Sequence, residues 1–166
     1  MAVALRRLLV AAGLLFGLVG VVHAQHGGSA SKVTWTVQGD TLAPGATGAL
    51  RLHASITEGW KMYASDSPPP TVGVAVPEVE FSAPVTVVAT DSLVYTGAST
   101  AYDPNFGKDV HFFSGTARLR LPVSLSGDAR PGPHALRGTL RFMVCTTEIC
   151  LPPATESFEA TVVVTN

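Results

Sequence analysis

Ala117-Arg118-Leu119-Arg120-Leu121-Pro122-Val123-Ser124-Leu125 alternates apolar and polar side chains without a break. Successive side chains of a strand point to opposite faces, so this stretch predicts a β-strand with one face on a core and the other in water. The same period appears on both sides of it. Downstream, Leu136, Leu140, Phe142 and Val144 share one parity, and so do Phe158, Ala160, Val162 and Val164, which predicts two neighbouring strands of one sheet. A turn over 127–134 separates them from the first stretch. Upstream, Val33, Trp35 and Val37 alternate with threonines, and Leu50, Leu52, Ala54 and Ile56 alternate with Arg51, His53 and Ser55. Gly59-Trp60-Lys61-Met62-Tyr63 reads as a short aromatic strand that stops at Ser67-Pro68-Pro69-Pro70, where three prolines remove backbone donors. Val79–Phe81 and Val85–Val88 are short strand candidates separated by Pro84. The segment 91–108 is rich in Gly, Ser, Thr, Asn and Asp and reads as a long excursion loop. No window sustains a helical period. The expected fold class is all-β, an immunoglobulin-like β-sandwich, with a β-barrel as the fallback.

The N-terminus opens with Arg6 and Arg7, continues through an apolar run to Val22, and reaches Val22-His23-Ala24 before Gln25. This is the pattern of a secretory signal peptide over residues 1–24. The run is shorter than the roughly 20 residues that span a bilayer; an uncleaved anchor is the alternative. The residue directly after the cleavage point is Gln25 and not a cysteine, so a lipoprotein anchor there has no support. Residues 25–31 read as a flexible, Gly- and Ser-rich lead-in, and residues 32–166 as one domain. The formal net charge is −1 and no basic run follows the signal, which argues against a nucleic-acid partner.

Cys145 and Cys150 are the two cysteines, with Thr146-Thr147-Glu148-Ile149 between them at a strand-to-loop junction. Two nearby cysteines in an exported chain are expected to pair. A loop this short yields only about 2 kcal/mol of stabilisation in the chain-entropy model. Cys145 also has the parity of Arg137, Thr139, Arg141 and Met143, opposite the core parity, which places its thiol off the main core. A short peripheral disulfide suits exchange chemistry better than stapling. The intervening residues hold no Lys, Arg or His to lower a thiol pKa, and Glu148 tends to raise it. Exchange is therefore expected within a docked complex more than with free small thiols.

Phe142-Met143-Val144-Cys145-Thr146-Thr147-Glu148-Ile149-Cys150-Leu151-Pro152-Pro153, together with Gly59-Trp60-Lys61-Met62-Tyr63, resembles the periplasmic N-terminal domain of the thiol-disulfide reductase DsbD. The resemblance runs from roughly Val33 to Val164. It implies an immunoglobulin-like fold and a redox-active Cys145–Cys150 disulfide. In that family the disulfide takes electrons from a membrane partner and passes them to thioredoxin-like periplasmic oxidoreductases. Cys150 would form the mixed disulfide with partners and Cys145 would resolve it. Asn105-Phe106-Gly107-Lys108 resembles the family's cap loop, with Phe106 as the covering ring. Asp103 stands near it where the family is more acidic, and Tyr63 would flank the disulfide. Proteins of this kind continue into a membrane domain and a thioredoxin-like domain, whereas this sequence ends at Asn166, so a separate membrane-embedded electron donor is expected, with a periplasmic location and no small-molecule cofactor.

Other chemistries find little support. The histidines His26, His53, His111 and His134 lack ligand spacing, and two cysteines alone do not complete a zinc site, so no metal is expected. Met62 and Met143 are too isolated for a copper site and read as packing residues. Neither Ser114-Gly115 nor Ser126-Gly127 sits in a nucleophile elbow. Asp103 and Asp109 are a weak candidate carboxylate pair. Trp35 and Trp60 read as core or edge residues. The alternative function is a non-enzymatic binding or assembly module with a structural disulfide.

Overall fold

The computed structural model describes residues 28–64, 77–82, 87–89, 93–104 and 106–166. The expected signal peptide, the start of the lead-in, Ser67–Pro70, Pro84, Val85 and Asn105 lie outside them. A 3-10 turn, Gly28–Lys32, precedes twelve strands: β1 Val33–Gly39, β2 Thr41–Leu42, β3 Thr47–Ile56, β4 Lys61–Tyr63, β5 Glu78–Ser82 and β6 Val87–Ala89. These are followed by β7 Val94–Thr96, β8 Ser99–Asp103, β9 Lys108–Ser114, β10 Thr116–Leu125, β11 Gly132–Phe142 and β12 Ala154–Val164.

Two sheets form the sandwich. One runs β1-β3-β10-β6, with β7 also pairing β10, and the other runs β2-β12-β11-β5. Pairing is antiparallel except for β2 beside β12. The parities read from sequence are the ones that meet inside. Leu50, Leu52, Ala54 and Ile56 of β3 and Ala117, Leu119, Leu121, Val123 and Leu125 of β10 join Leu136, Leu140 and Phe142 of β11, Val144 beyond it, and Ala160, Val162 and Val164 of β12 in one buried cluster. Trp35 meets Phe142 edge-to-face with ring centroids 5.4 Å apart, bridging the sheets. At a few tens of cal/mol per Å² of apolar surface removed from water, this cluster is the main source of stability. The expected pairing of the last two long strands holds, from Gly132↔Val164 to Phe142↔Ala154. The turn before them is shorter than expected, since β11 begins at Gly132.

The segment 91–108, expected as a loop, contains β7 and β8. Its small polar residues misled because four of the five residues of β8 are exposed, leaving no apolar face to reveal the strand. β8 pairs with β9, which pairs with β4, giving a third small sheet in the order β4-β9-β8. The lead-in also differs from expectation in its described part. Ser29 is fully buried: its hydroxyl accepts a hydrogen bond from the Val144 N–H at 3.0 Å, and its own N–H donates to the Pro152 carbonyl at 3.2 Å. Among the described residues no helix is long and apolar enough to cross a membrane.

Candidate functional site: a disulfide on a second, smaller core

Past Phe142 the chain leaves the β11 sheet and runs alongside β4. The Lys61 N–H donates to the Cys145 carbonyl at 2.8 Å, and the Cys145 N–H donates to the Lys61 carbonyl at 2.9 Å. It then folds back on itself. The Leu151 N–H donates to the Val144 carbonyl and the Thr146 N–H to the Ile149 carbonyl, so Cys145 and Cys150 face each other as the non-hydrogen-bonded pair of a tight hairpin. Side chains are closest at such a pair. The two cysteines form a disulfide there, with Cα atoms 4.0 Å apart. Thr146 closes the turn, its Oγ1 accepting from the N–H groups of Glu148 and Ile149 at 3.1 Å each.

Directly opposed residues of paired strands share a face, so the backbone register decides what surrounds the disulfide. Met62, Phe113 and Val144 point into the main core. The alternate residues Tyr63, Val110, Met143 and Cys145 form a separate buried cluster on the other face, with Phe106 and Phe112 packed against it. The expectation that the Cys145 thiol lies off the main core therefore holds. Its description as peripheral holds for only one half: Cys145 is 1% exposed, whereas Cys150 is exposed.

Asp103, also 1% exposed, ends β8 on this same face. Its carboxylate accepts hydrogen bonds from the Lys61 ammonium at 2.5 Å and the Tyr63 hydroxyl at 2.6 Å. Burial first, then the hydrogen bond to Asp103 and its negative charge, push the Tyr63 hydroxyl far above its ordinary pKa, so it stays a donor across the physiological range. The Asp103 carbonyl accepts from the N–H groups of Phe106 at 3.1 Å and Gly107 at 2.8 Å, closing the turn between β8 and β9. Gly107 holds φ at 64°, a left-handed conformation that side chains disfavour. The turn sets the Phe106 ring edge-to-face on Tyr63, centroids 5.4 Å apart. Asp103 thus ties the Phe106 turn to β4, the strand paired with Cys145.

The structure brings Cys145, Tyr63, Asp103 and Phe106 together on one face, with Cys150 at its open margin. Asp109 does not join Asp103, because it has the opposite parity on β9 and is exposed. Two further residues at this site were not read from sequence. Lys61 lies in the quoted aromatic stretch, but only strand pairing sets it beside Cys145. Ser29 was hidden in a Gly- and Ser-rich segment. Among the described residues no cluster of three or more His, Cys, Asp or Glu could hold a metal.

The family described as thiol:disulfide interchange protein DsbD, N-terminal, matches residues 31–162. The DsbD N-terminal domain of Neisseria meningitidis, solved in the reduced form, is 15% identical, with 77% of this chain and 82% of that chain covered and a TM-score of 0.45. A cohesin in a cohesin–dockerin complex from Clostridium thermocellum is 10% identical, covering 81% of this chain and 99% of that one, with a TM-score of 0.39. Among curated proteins none matches significantly. With the family matched over most of its length, this immunoglobulin-like, disulfide-bearing chain belongs to the periplasmic DsbD N-terminal domain family of thiol-disulfide interchange proteins.

Proposed function

We propose that this domain is a periplasmic electron relay, accepting reducing equivalents from a membrane-embedded reductase and passing them to thioredoxin-like oxidoreductases through Cys150. The observation that supports this most is the unequal exposure of one disulfide: Cys150 is open to solvent and Cys145 is 1% exposed. Exchange proceeds by in-line attack of a thiolate on an accessible sulfur. A thiolate of the donor's dithiol attacks Cys150 Sγ, the Cys145–Cys150 bond breaks, and its electron pair leaves on Cys145. The donor's second thiolate then attacks its own sulfur in the mixed disulfide and releases Cys150. Two electrons have moved, the donor is a disulfide, and the domain's two thiolates take up protons according to their pKa values. Run in reverse, the same steps reduce an oxidised acceptor.

The surroundings fit these steps. Cys145 is the buried leaving and resolving sulfur, and its burial keeps it from competing as a point of attack. Phe106 and Tyr63 form the aromatic wall of its cluster, and Asp103 holds the Phe106 turn in place. The test is trapping. Cys145→Ser should leave Cys150 able to hold a mixed disulfide with a thioredoxin-like protein, whereas Cys150→Ser should trap little because the remaining thiol is buried. Equal trapping by both variants would remove the assignment of Cys150 as the exchanging sulfur.

A further inference from the structure

The two outer faces of the sandwich carry charge differently. On the β11–β12–β5 side, Arg137 pairs with Glu159 at 3.0 Å and Arg141 with Glu78 at 3.7 Å, with Glu80 nearby on β5. On the β3–β10 side the exposed ionisable positions are Arg51, His53, Arg118 and Arg120, with Thr47, Ser55 and Thr116 exposed beside them. The register sets Arg118 directly opposite His53 and Arg120 directly opposite Arg51, so four basic side chains form a two-by-two block on adjacent strands. Asp40 pairs with Arg51 at the margin, and among the described residues no acidic side chain pairs with His53, Arg118 or Arg120. Arg118 and Arg120, two residues apart on one face of β10, are thus guanidinium groups without an acidic partner among the described residues, and they suit an anionic occupant.

From this face we infer that the domain docks on an anionic phospholipid surface. The neighbouring outward positions are Thr34, Thr36 and Gln38 on β1, Thr96 on β7 and Thr116 on β10, all of them polar. Among the described residues the one large exposed apolar residue beside the block is Val94. Specific protein docking relies on aromatic or aliphatic anchors seated in pockets, and apart from Val94 the described residues of this face supply none. A bilayer needs no such anchor, since mobile phosphate headgroups rearrange around fixed cations. The two arginines without an acidic partner, Arg118 and Arg120, favour binding to such a surface by roughly thirtyfold over a neutral one. The disulfide lies beyond the Ile56 end of β3, past Lys61 on another sheet, so a bilayer against this face leaves the Cys150 hairpin to partners.

Co-sedimentation with vesicles tests the inference, comparing the full chain with the Arg118→Thr, Arg120→Thr double variant. The vesicles are equimolar phosphatidylglycerol and phosphatidylcholine, or phosphatidylcholine alone, so apolar insertion by residues 1–24 contributes equally to both proteins. The unaltered chain should prefer the anionic vesicles by at least about tenfold in low salt, and the preference should collapse near 0.5 M salt, where screening is short-ranged. The variant should lose most of the preference while its disulfide is reduced by a dithiol at an unchanged rate. Equal partitioning of both proteins onto anionic vesicles overturns the inference. So does a preference for polyglutamate without one for anionic vesicles, which would assign the face to an acidic protein. Loss of thiol exchange would count against the relay and leave this inference standing.

Discussion

The two cores of this domain are built from different materials. The larger one, between the sheets, is apolar throughout and assembled from alternate residues of long strands. The smaller one, over the outer face of β4 and β9, joins Tyr63, Val110, Met143 and Cys145 with Phe106 and Phe112, beside a part-buried Lys61–Asp103 ion pair. The larger core makes the fold. The smaller one buries one cysteine of the disulfide and leaves the other exposed. A redox site placed this way can be altered without dismantling the sandwich.

The comparison is sharpened first at the larger core. Leu119→Ala, at a position 1% exposed, should destabilise by about 2–5 kcal/mol through lost burial and a residual cavity. Chemical denaturation would register this, and a loss below about 1 kcal/mol would mean the sandwich core is not the main source of stability. Lys61→Met comes next. It keeps the aliphatic stem but leaves the Asp103 carboxylate without its cation, so a loss of about 2 kcal/mol is expected. Adding Asp103→Asn should recover part of that loss, and purely additive effects would show that the two do not act as a pair.

Cys145→Ala with Cys150→Ala should leave the β signal intact and cost no more than about 2 kcal/mol. Unfolding at room temperature would make the disulfide a staple and favour the binding-module reading. Phe106→Ala should change stability by only about 1 kcal/mol while speeding attack by small thiols. An unchanged rate would remove Phe106 as a shield. The smallest effect belongs to alkaline pH. Tyr63 has a folded-state pKa raised above that of the unfolded chain, so its contribution is complete below pH of about 10 and is lost as pH rises further. Tyr63→Phe should flatten that part of the stability profile.

The same division explains what the sequence revealed. β3, β10, β11 and β12 each keep one parity buried, so their alternation is visible in the residues alone. The cysteine pair was visible as a local motif, and Phe106, Asp103 and Tyr63 through resemblance to a known family. Lys61 beside Cys145 was not visible, because the contact depends on β11 delivering the chain to β4, which no local pattern encodes. β8 read as loop because Asp103 is its one buried residue. Ser29 read as flexible because a serine that satisfies a buried N–H looks, in sequence, like any linker serine.

The most direct test is the equilibrium reduction potential of Cys145–Cys150 against a defined thiol-disulfide buffer. The relay account predicts a value above about −300 mV, where exchange with cellular dithiols is reversible. A value well below that line would describe a structural disulfide and contradict the account.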